Sequence, residues 1–386
     1  MRKTTLLIAA LLASLPGFSQ EEEPSKFSVD GYVKDLQTLF VFNGVPFPGQ
    51  TFIYDQNQIH NRINVEWQVF PSWTFKVDFR NRVFWGDLST QSVIDGLDLA
   101  NDHFDLSIGD SNDKGLAYHA MIDRLYLEFM KGNWEVRFGR QRVNWGINTV
   151  WNPNDVFNAF SFTDFDYEER PGSDALRVRY YTGYASSVEV AAKLADSIEA
   201  AVIAGMGRFN IGTYDFQAFG GLVQNEIAIG GGWAGNIKGA GFKGEFTFFQ
   251  PLEDGEKSSF AGTFGLDYMT GKSLYLNGGF LFNSNGITSG TIANLFAFEL
   301  SAKNLYPFKY SVFLQGGYPI TPLLNGGLAL IYSPSKSHAL FINPTLAYSV
   351  AQNWDIDLVG QLAMERDGKK YRSPIQGFFL RMKYSY

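Results

Sequence analysis

The side chains able to carry catalysis or hold a metal are few and badly spaced for it. Histidine occurs at His60, His103, His119 and His338, and the chain has no cysteine. No two of these histidines sit at a helical ligand spacing and no thiolate can join them, which argues against a zinc site. Gly286-Ile287-Thr288-Ser289-Gly290 places its serine one position late for a nucleophile elbow. Asp102-His103 is an adjacent pair with no further partner to orient it. Asp110-Ser111-Asn112-Asp113-Lys114-Gly115 begins like a calcium loop, but Met121 stands where the closing glutamate belongs. With Asp95, Asp98, Asp102 and Asp105 it reads as a solvated acidic stretch. We expect no catalytic residues, no metal and no cofactor: the chain is not an enzyme.

A different set of ionic residues does form a pattern. From Ile59 to Val69, apolar Ile59, Ile63, Val65, Trp67 and Val69 alternate with polar His60, Arg62, Asn64, Glu66 and Gln68. After Phe70-Pro71-Ser72, Trp73, Phe75, Val77, Phe79 and Val83 alternate with Lys76, Asp78, Arg80 and Arg82. Period two is the signature of a strand with one apolar and one polar face. Continued along the chain, the polar parity collects Arg62, Lys76, Arg80, Arg82, Arg124, Arg137, Arg177 and Arg179, against fewer acids: Glu66, Asp78, Glu128 and Glu135. On a lipid-facing surface each Arg or Lys would cost about 2–4 kcal/mol at mid-membrane. One parity holding so many cations therefore predicts a wet interior with a basic wall on one part of the circumference.

The acids that would oppose this wall lie in one long insert, Gly139 to Arg177. It contains Trp145, the turn signal Trp151-Asn152-Pro153-Asn154-Asp155, then Asp164, Asp166, Glu168, Glu169 and Arg170. Structureless runs beyond ~12–15 residues tend to be functional or disordered, and the aromatic content speaks against disorder. We expect residues 146–172 to fold inward as a constriction loop. Its Trp and Pro would be the rigid packing, and its carboxylates would meet solute and set a transverse field against the arginines. The plainer reading, that these ions pair and pin the loop, is compatible with it. Arg140 and Arg142 share the parity of Trp134, Val136 and Phe138, so either the strand bulges there or both lie above the membrane.

The elements that must position these residues follow from the rest of the chain. Met1-Arg2-Lys3, the apolar run to Phe18 and small residues at Gly17 and Ser19 predict a signal peptide over 1–20, then a short periplasmic leader over 21–26. Removing Arg2 and Lys3 takes the net charge from −7 to −9, which offers nothing to nucleic acid. No later apolar run reaches the ~18–20 residues of a membrane helix. Yet Phe numbers 35, Tyr 19 and Gly 40, a composition suited to strands of which only alternate residues face lipid. Tight turns at Pro71-Ser72 and Lys131-Gly132-Asn133 alternate with the long segments 86–115 and 144–172. A β-sandwich has no reason to alternate connections so. The last strand sets Phe378, Leu380, Met382, Tyr384 and the terminal Tyr386 on one face, and must close against the first because an open edge in lipid leaves unpaired backbone groups. The fold class is thus all-β: a transmembrane antiparallel β-barrel over 27–386, of 16–18 strands, with short periplasmic turns and long extracellular loops. Residues 292–305 read as ambiguous, with a helix inside an external loop as one option.

Gly139-Arg140-Gln141, Trp145-Gly146, Trp151 to Asp155 and Glu169-Arg170-Pro171-Gly172 resemble the diagnostic block of porin-like outer-membrane barrels from Bacteroidetes. The architecture is more distantly similar to alginate-export porins, which are eighteen-stranded and lined with charged side chains. The terminal apolar stripe resembles the signal read by the barrel-assembly machinery. The resemblance implies passive diffusion or export across the outer membrane of a Gram-negative bacterium. The expected function is a porin-like channel for small polar or anionic solutes, and the alternative a non-conducting barrel serving as scaffold or docking partner of a surface complex. Expected partners are outer-membrane lipid, the solute and the assembly machinery; the oligomeric state stays open.

Overall fold

Alternation dictates nearly every element. In the computed structural model, which describes residues 26–386 apart from positions 46, 48, 113, 160, 163, 167, 168 and 297, the strands are long and almost purely antiparallel. They are β1 (Phe27–Asn43), β2 (Thr51–Phe70), β3 (Trp73–Trp85), β4 (Ser107–Asn112), β5 (Leu116–Lys131), β6 (Trp134–Gln141), β7 (Ser173–Gly183), β8 (Ser186–Lys193), β9 (Val202–Ile211) and β10 (Tyr214–Val223). There follow β11 (Glu226–Ile237), β12 (Ala240–Pro251), β13 (Ser259–Met269), β14 (Tyr275–Asn283), β15 (Tyr310–Pro319), β16 (Leu324–Ser333), β17 (Ala339–Ala351), β18 (Trp354–Asp367) and β19 (Lys370–Ser385).

Each strand pairs with its sequence neighbour, and β19 returns to β1 in register from Tyr32↔Ser385 to Phe42↔Ile375. β4 is the exception: it pairs only with Leu116–Met121 of β5, beyond the stretch of β5 that pairs with β6. It therefore extends the wall rather than adding a stave, and eighteen strands close the barrel. The predicted signal peptide and most of the leader lie outside the described residues.

Residues with one parity point outward. Leu266, Leu314, Leu328, Leu358, Phe378, Leu380 and Met382 are exposed there, the band lipid requires. Aromatic pairs mark its short-turn edge: Trp73 with Phe129 at 4.9 Å, Trp134 with Tyr180 at 4.8 Å and Trp354 with Tyr384 at 4.9 Å. Phe282 with Tyr310 at 5.5 Å marks the loop edge. An apolar band between aromatic girdles is what an outer-membrane barrel presents. The connections are less regular than the sequence suggested: Gln224-Asn225 and Gly368-Lys369 are two-residue turns on the loop side. Both of the first pair take positive φ, 50° and 65°, the twist-matched hairpin form that lets neighbouring strands rise together.

Two long loops carry secondary structure of their own. The first, between β3 and β5, holds helix α1 (Gln91–Asp98) as well as β4. The loop between β14 and β15 holds a short 3₁₀ turn at Ile292–Phe296, in the segment that was ambiguous by pattern.

Candidate functional site

The loop between β6 and β7 leaves the wall at a sharp, glycine-dependent corner. Gly139 has φ +118°, and a Cβ there would lie 2.2 Å from the Leu125 carbonyl oxygen. Next to it Arg140 donates to both carboxylate oxygens of Asp174, its register partner, at 2.9 and 2.7 Å. It also donates to Asn101 Oδ1 at 3.0 Å and to the Phe104 carbonyl. The register of β6 on β7 is unbroken, so Arg140 keeps its outward parity and is buried beneath the first long loop at the rim. Of the two alternatives for Arg140, a rim position is correct and a bulge is not. The Gln141 amide donates to Ala175 O at 2.9 Å and closes the corner.

From there the chain runs around the inside of the barrel. Trp145, fully buried, donates its indole N–H to Glu189 of β8 at 2.7 Å, and its carbonyl accepts from Gln217 of β10. Glu245 of β12, 1% exposed, accepts the backbone N–H groups of Ile147 and Asn148 on one oxygen and that of Asn154 on the other. Asn148 donates to Thr263 of β13 at 3.1 Å and Thr149 accepts from Asn277 of β14 at 3.2 Å. Trp151 packs edge-on against Phe313 of β15 and Tyr306, within an apolar cluster that includes Leu281, Ile292, Leu295 and Phe308. Pro153 O accepts from Thr247, and Asn152 is buried with its Oδ1 unpaired. The returning half meets the remaining strands: Phe165 contacts Phe379 of β19 at 4.6 Å between ring centres, Asp166 pairs with Lys34 of β1 at 2.8 Å and Arg381 of β19 at 3.2 Å, and Glu169 accepts from Tyr32 at 3.0 Å.

The loop acids do not behave alike, and here the expectation needs correcting. Asp155 does not face solute: it is 1% exposed, accepts the Trp145 N–H and lies 3.5 Å from Arg170. Burial pushes its carboxyl up to about 7, only partly offset by Arg142 and Arg170. Asp166 and Glu169 are tied to the wall. Asp164 alone among the described loop acids is exposed and without an ion pair among the described residues; the wall that encloses it raises its carboxyl to about 6, with Asp166 adding to the rise. Glu168 lies outside the described residues. In this loop, pinning by ion pairs outweighs display of free charge.

The arginines and lysine of the predicted basic parity are largely neutralised by nearby carboxylates. Arg62 binds Asp78 at 2.9 Å, Asp123, and Glu169 at 3.6 Å; Arg80 Nε binds Asp123 at 2.9 Å. Lys76 faces Glu66 at 3.6 Å, Arg137 holds Glu128, Arg177 holds Glu135, and Arg179 reaches Glu189 at 2.5 Å. Arg124 donates to the Arg170 carbonyl at 2.5 Å and so fastens the loop's end. Asp123, central to this network, was missed because strict alternation puts it on the lipid side with Leu125 and Leu127. A register shift between Asp78 and Phe79 opposite it turns it inward. The signal was available: a carboxylate on a lipid parity is too costly to stay there. Lys34, Glu189, Glu245 and Arg381 were also missed, because they lie in strands outside residues 62–179, over which the charge parity was read.

Two hollows flank the loop. The larger, about 470 Å³, lies between the β1–β3 and β19 wall, Leu97 of α1 and loop residues Asp164–Asp166; Arg80, Arg82 and His60 line it. The other, about 380 Å³, lies against Ile147, Arg208, Asp215 and Gln217. In the first, Arg82 touches no carboxylate among the described residues; it donates to His119 Nδ1 at 3.2 Å, and His119 Nε2 lies 3.0 Å from Asp98 at the end of α1.

No family model matches this sequence, and no curated protein matches it. Solved structures do. Pseudomonas aeruginosa OccK9 (OpdG) matches with a TM-score of 0.59 at 11% identity over 93% of this chain and 98% of its own. Pseudomonas aeruginosa OpdQ matches with a TM-score of 0.56 at 8% identity over 93% and 97%. Salmonella typhi OmpF, solved in complex with daunomycin, matches with a TM-score of 0.50 at 12% identity over 95% and 100%. The likeness is one of fold: a large closed barrel of the kind built by Gram-negative outer-membrane porins.

Proposed function

We propose that this barrel is a porin-like channel for passive diffusion of small polar or anionic solutes, narrowed by the loop over 146–172. The observation that carries the reading is the course of that loop, seated against the wall from β8 to β15 and again at β19, β1 and β2, with two hollows beside it. A barrel wall needs no such internal structure for stability alone, whereas a diffusion channel needs a constriction to be selective. The paired wall favours selection by dipole and size over a large preference for anions. Membership of the Bacteroidetes porin-like group rests on the Gly139–Gly172 sequence block alone.

Single-channel recording of the purified protein in a planar bilayer tests this. Steady conductance that rises when Asn152–Glu168 is deleted is the expected result; silence at every voltage, in both forms, would overturn it. One observation favours the second reading, a non-conducting scaffold: the apolar cluster around Trp151, Phe308 and Phe313 fills part of the interior. Under that reading the deletion form alone would conduct.

A further inference from the structure

The 470 Å³ chamber has a charge arrangement that the channel reading does not require. Most of its ionic groups are already matched: Arg80 by Asp123, and Asp166 by Lys34 and Arg381. Two are not. Arg82 is buried in the wall with no carboxylate within 4 Å among the described residues, and its Nε has no hydrogen-bond partner. Beside it Nε2 of His60, also buried, has none either. On the loop side, Asp164 is exposed to the chamber and forms no ion pair among the described residues. Buried polar atoms of native proteins are almost always satisfied, so unpaired groups on side chains that line a hollow point to something that completes them. The remaining lining is apolar: Leu36, Phe40, Phe84, Leu97, Phe165 and Phe379.

We propose that this chamber is a binding site for a small zwitterion of the α-amino acid type, its carboxylate held by Arg82 and His60 and its ammonium by Asp164, with an apolar side chain against Phe40 and Phe379. A guanidinium offers paired donors to a carboxylate, and a lone carboxylate suits an ammonium. A simple anion would leave Asp164 bare and a simple cation would leave Arg82 bare; a ligand bearing one charge of each sign gives both a partner. The volume lies within the usual range for small-molecule sites. The proposal names a solute class for the proposed channel, and it rests on that reading only for the route by which the solute arrives.

The test uses the full-length barrel in detergent and in bilayers at pH 7.5, with L-leucine as probe and two single-charge analogues of the same skeleton, 4-methylpentanoate and 3-methylbutylamine. Calorimetry should show L-leucine binding at least tenfold more tightly than either analogue, and L-leucine should interrupt single-channel current. Asp164→Asn should reverse the order in favour of 4-methylpentanoate, and Arg82→Gln in favour of 3-methylbutylamine. A reversed ranking cannot come from a damaged fold, and heat-modifiable gel mobility checks each variant independently. Equal binding of leucine and 4-methylpentanoate, or an unchanged ranking in both variants, would overturn the site. Binding without conductance would keep the site and sink the channel; conductance without binding would do the opposite.

Discussion

The indole of Trp145 and the carboxylate of Glu189 meet at 2.7 Å, and that same carboxylate holds Arg179 at 2.5 Å. One buried acid thus joins the entry of the internal loop to an arginine of the wall. Replacing Trp145 with Phe keeps the ring packing against Phe157 and Phe219 but removes the donor, at a cost of about 1–3 kcal/mol for an acceptor left short of a partner. Faster amide exchange across residues 143–150, with strand protection intact, is the expected outcome. Unchanged exchange would show that packing alone seats this end.

Glu245 supports the middle of the loop by accepting three backbone N–H groups. Glu245→Gln keeps one carbonyl oxygen and should release either the Ile147–Asn148 pair or Asn154, while Glu245→Ala should release all three. Channel recordings should then show brief openings above the wild-type level, more frequent for Ala than for Gln. Identical traces for both variants would argue that Trp151 carries the seating without help.

The seat of Asp155 carries a pH dependence with a definite sign. Its folded pKa of about 7 lies above the ~3.9 of an unfolded aspartate, so the seated loop favours the protonated form. Stability from this group is fully present below about pH 4, is lost as pH rises toward 7, and is gone above it. Loop fluctuation, read as current noise or as exchange of residues 145–156, should increase from pH 5 to pH 8. Asp155→Asn should flatten that profile; a profile of the same slope in the variant would exclude Asp155 as its source.

The barrel seam depends on an absent side chain. A Cβ at Gly31 would lie 2.1 Å from Arg62 O and 2.8 Å from the Tyr386 hydroxyl, which itself donates to Arg62 O at 2.9 Å. Tyr386 and Gly31 also exchange backbone hydrogen bonds at 3.0 Å in both directions. Gly31→Ala should therefore strain the β1–β19 junction, lowering the temperature at which the barrel loses its compact gel mobility. Tyr386→Phe should cost less, since it removes the hydroxyl's bonds to Arg62 O and from Asn61 but leaves the backbone closure.

Much of this was legible in the linear chain because a membrane barrel obeys one local rule. Period-two alternation gave the strands of residues 59–83 nearly as they stand. The apolar stripe from Phe378 to Tyr386 gave the closing strand. Each depends only on neighbours along the sequence and on the expense of charge in lipid. The need for glycine at position 31 depends instead on Arg62 O and the ring of Tyr386, both distant from it along the chain.

What only the tertiary structure decided is which charges find partners. Asp123 faces inward because of a shifted register with β3, a feature of two strands together. Asp155 is buried and Asp164 is not, although both sit in the same acidic loop, because the wall each meets is contributed by different distant strands. The basic face read from parity is neutral in most places for the same reason. Parity says which way a side chain points, but its net charge in place depends on what the closed barrel brings within a few ångströms. The sequence by itself determined a membrane barrel; the closing of the barrel decided that Arg82 and Asp164 are the chamber charges without an ion pair among the described residues.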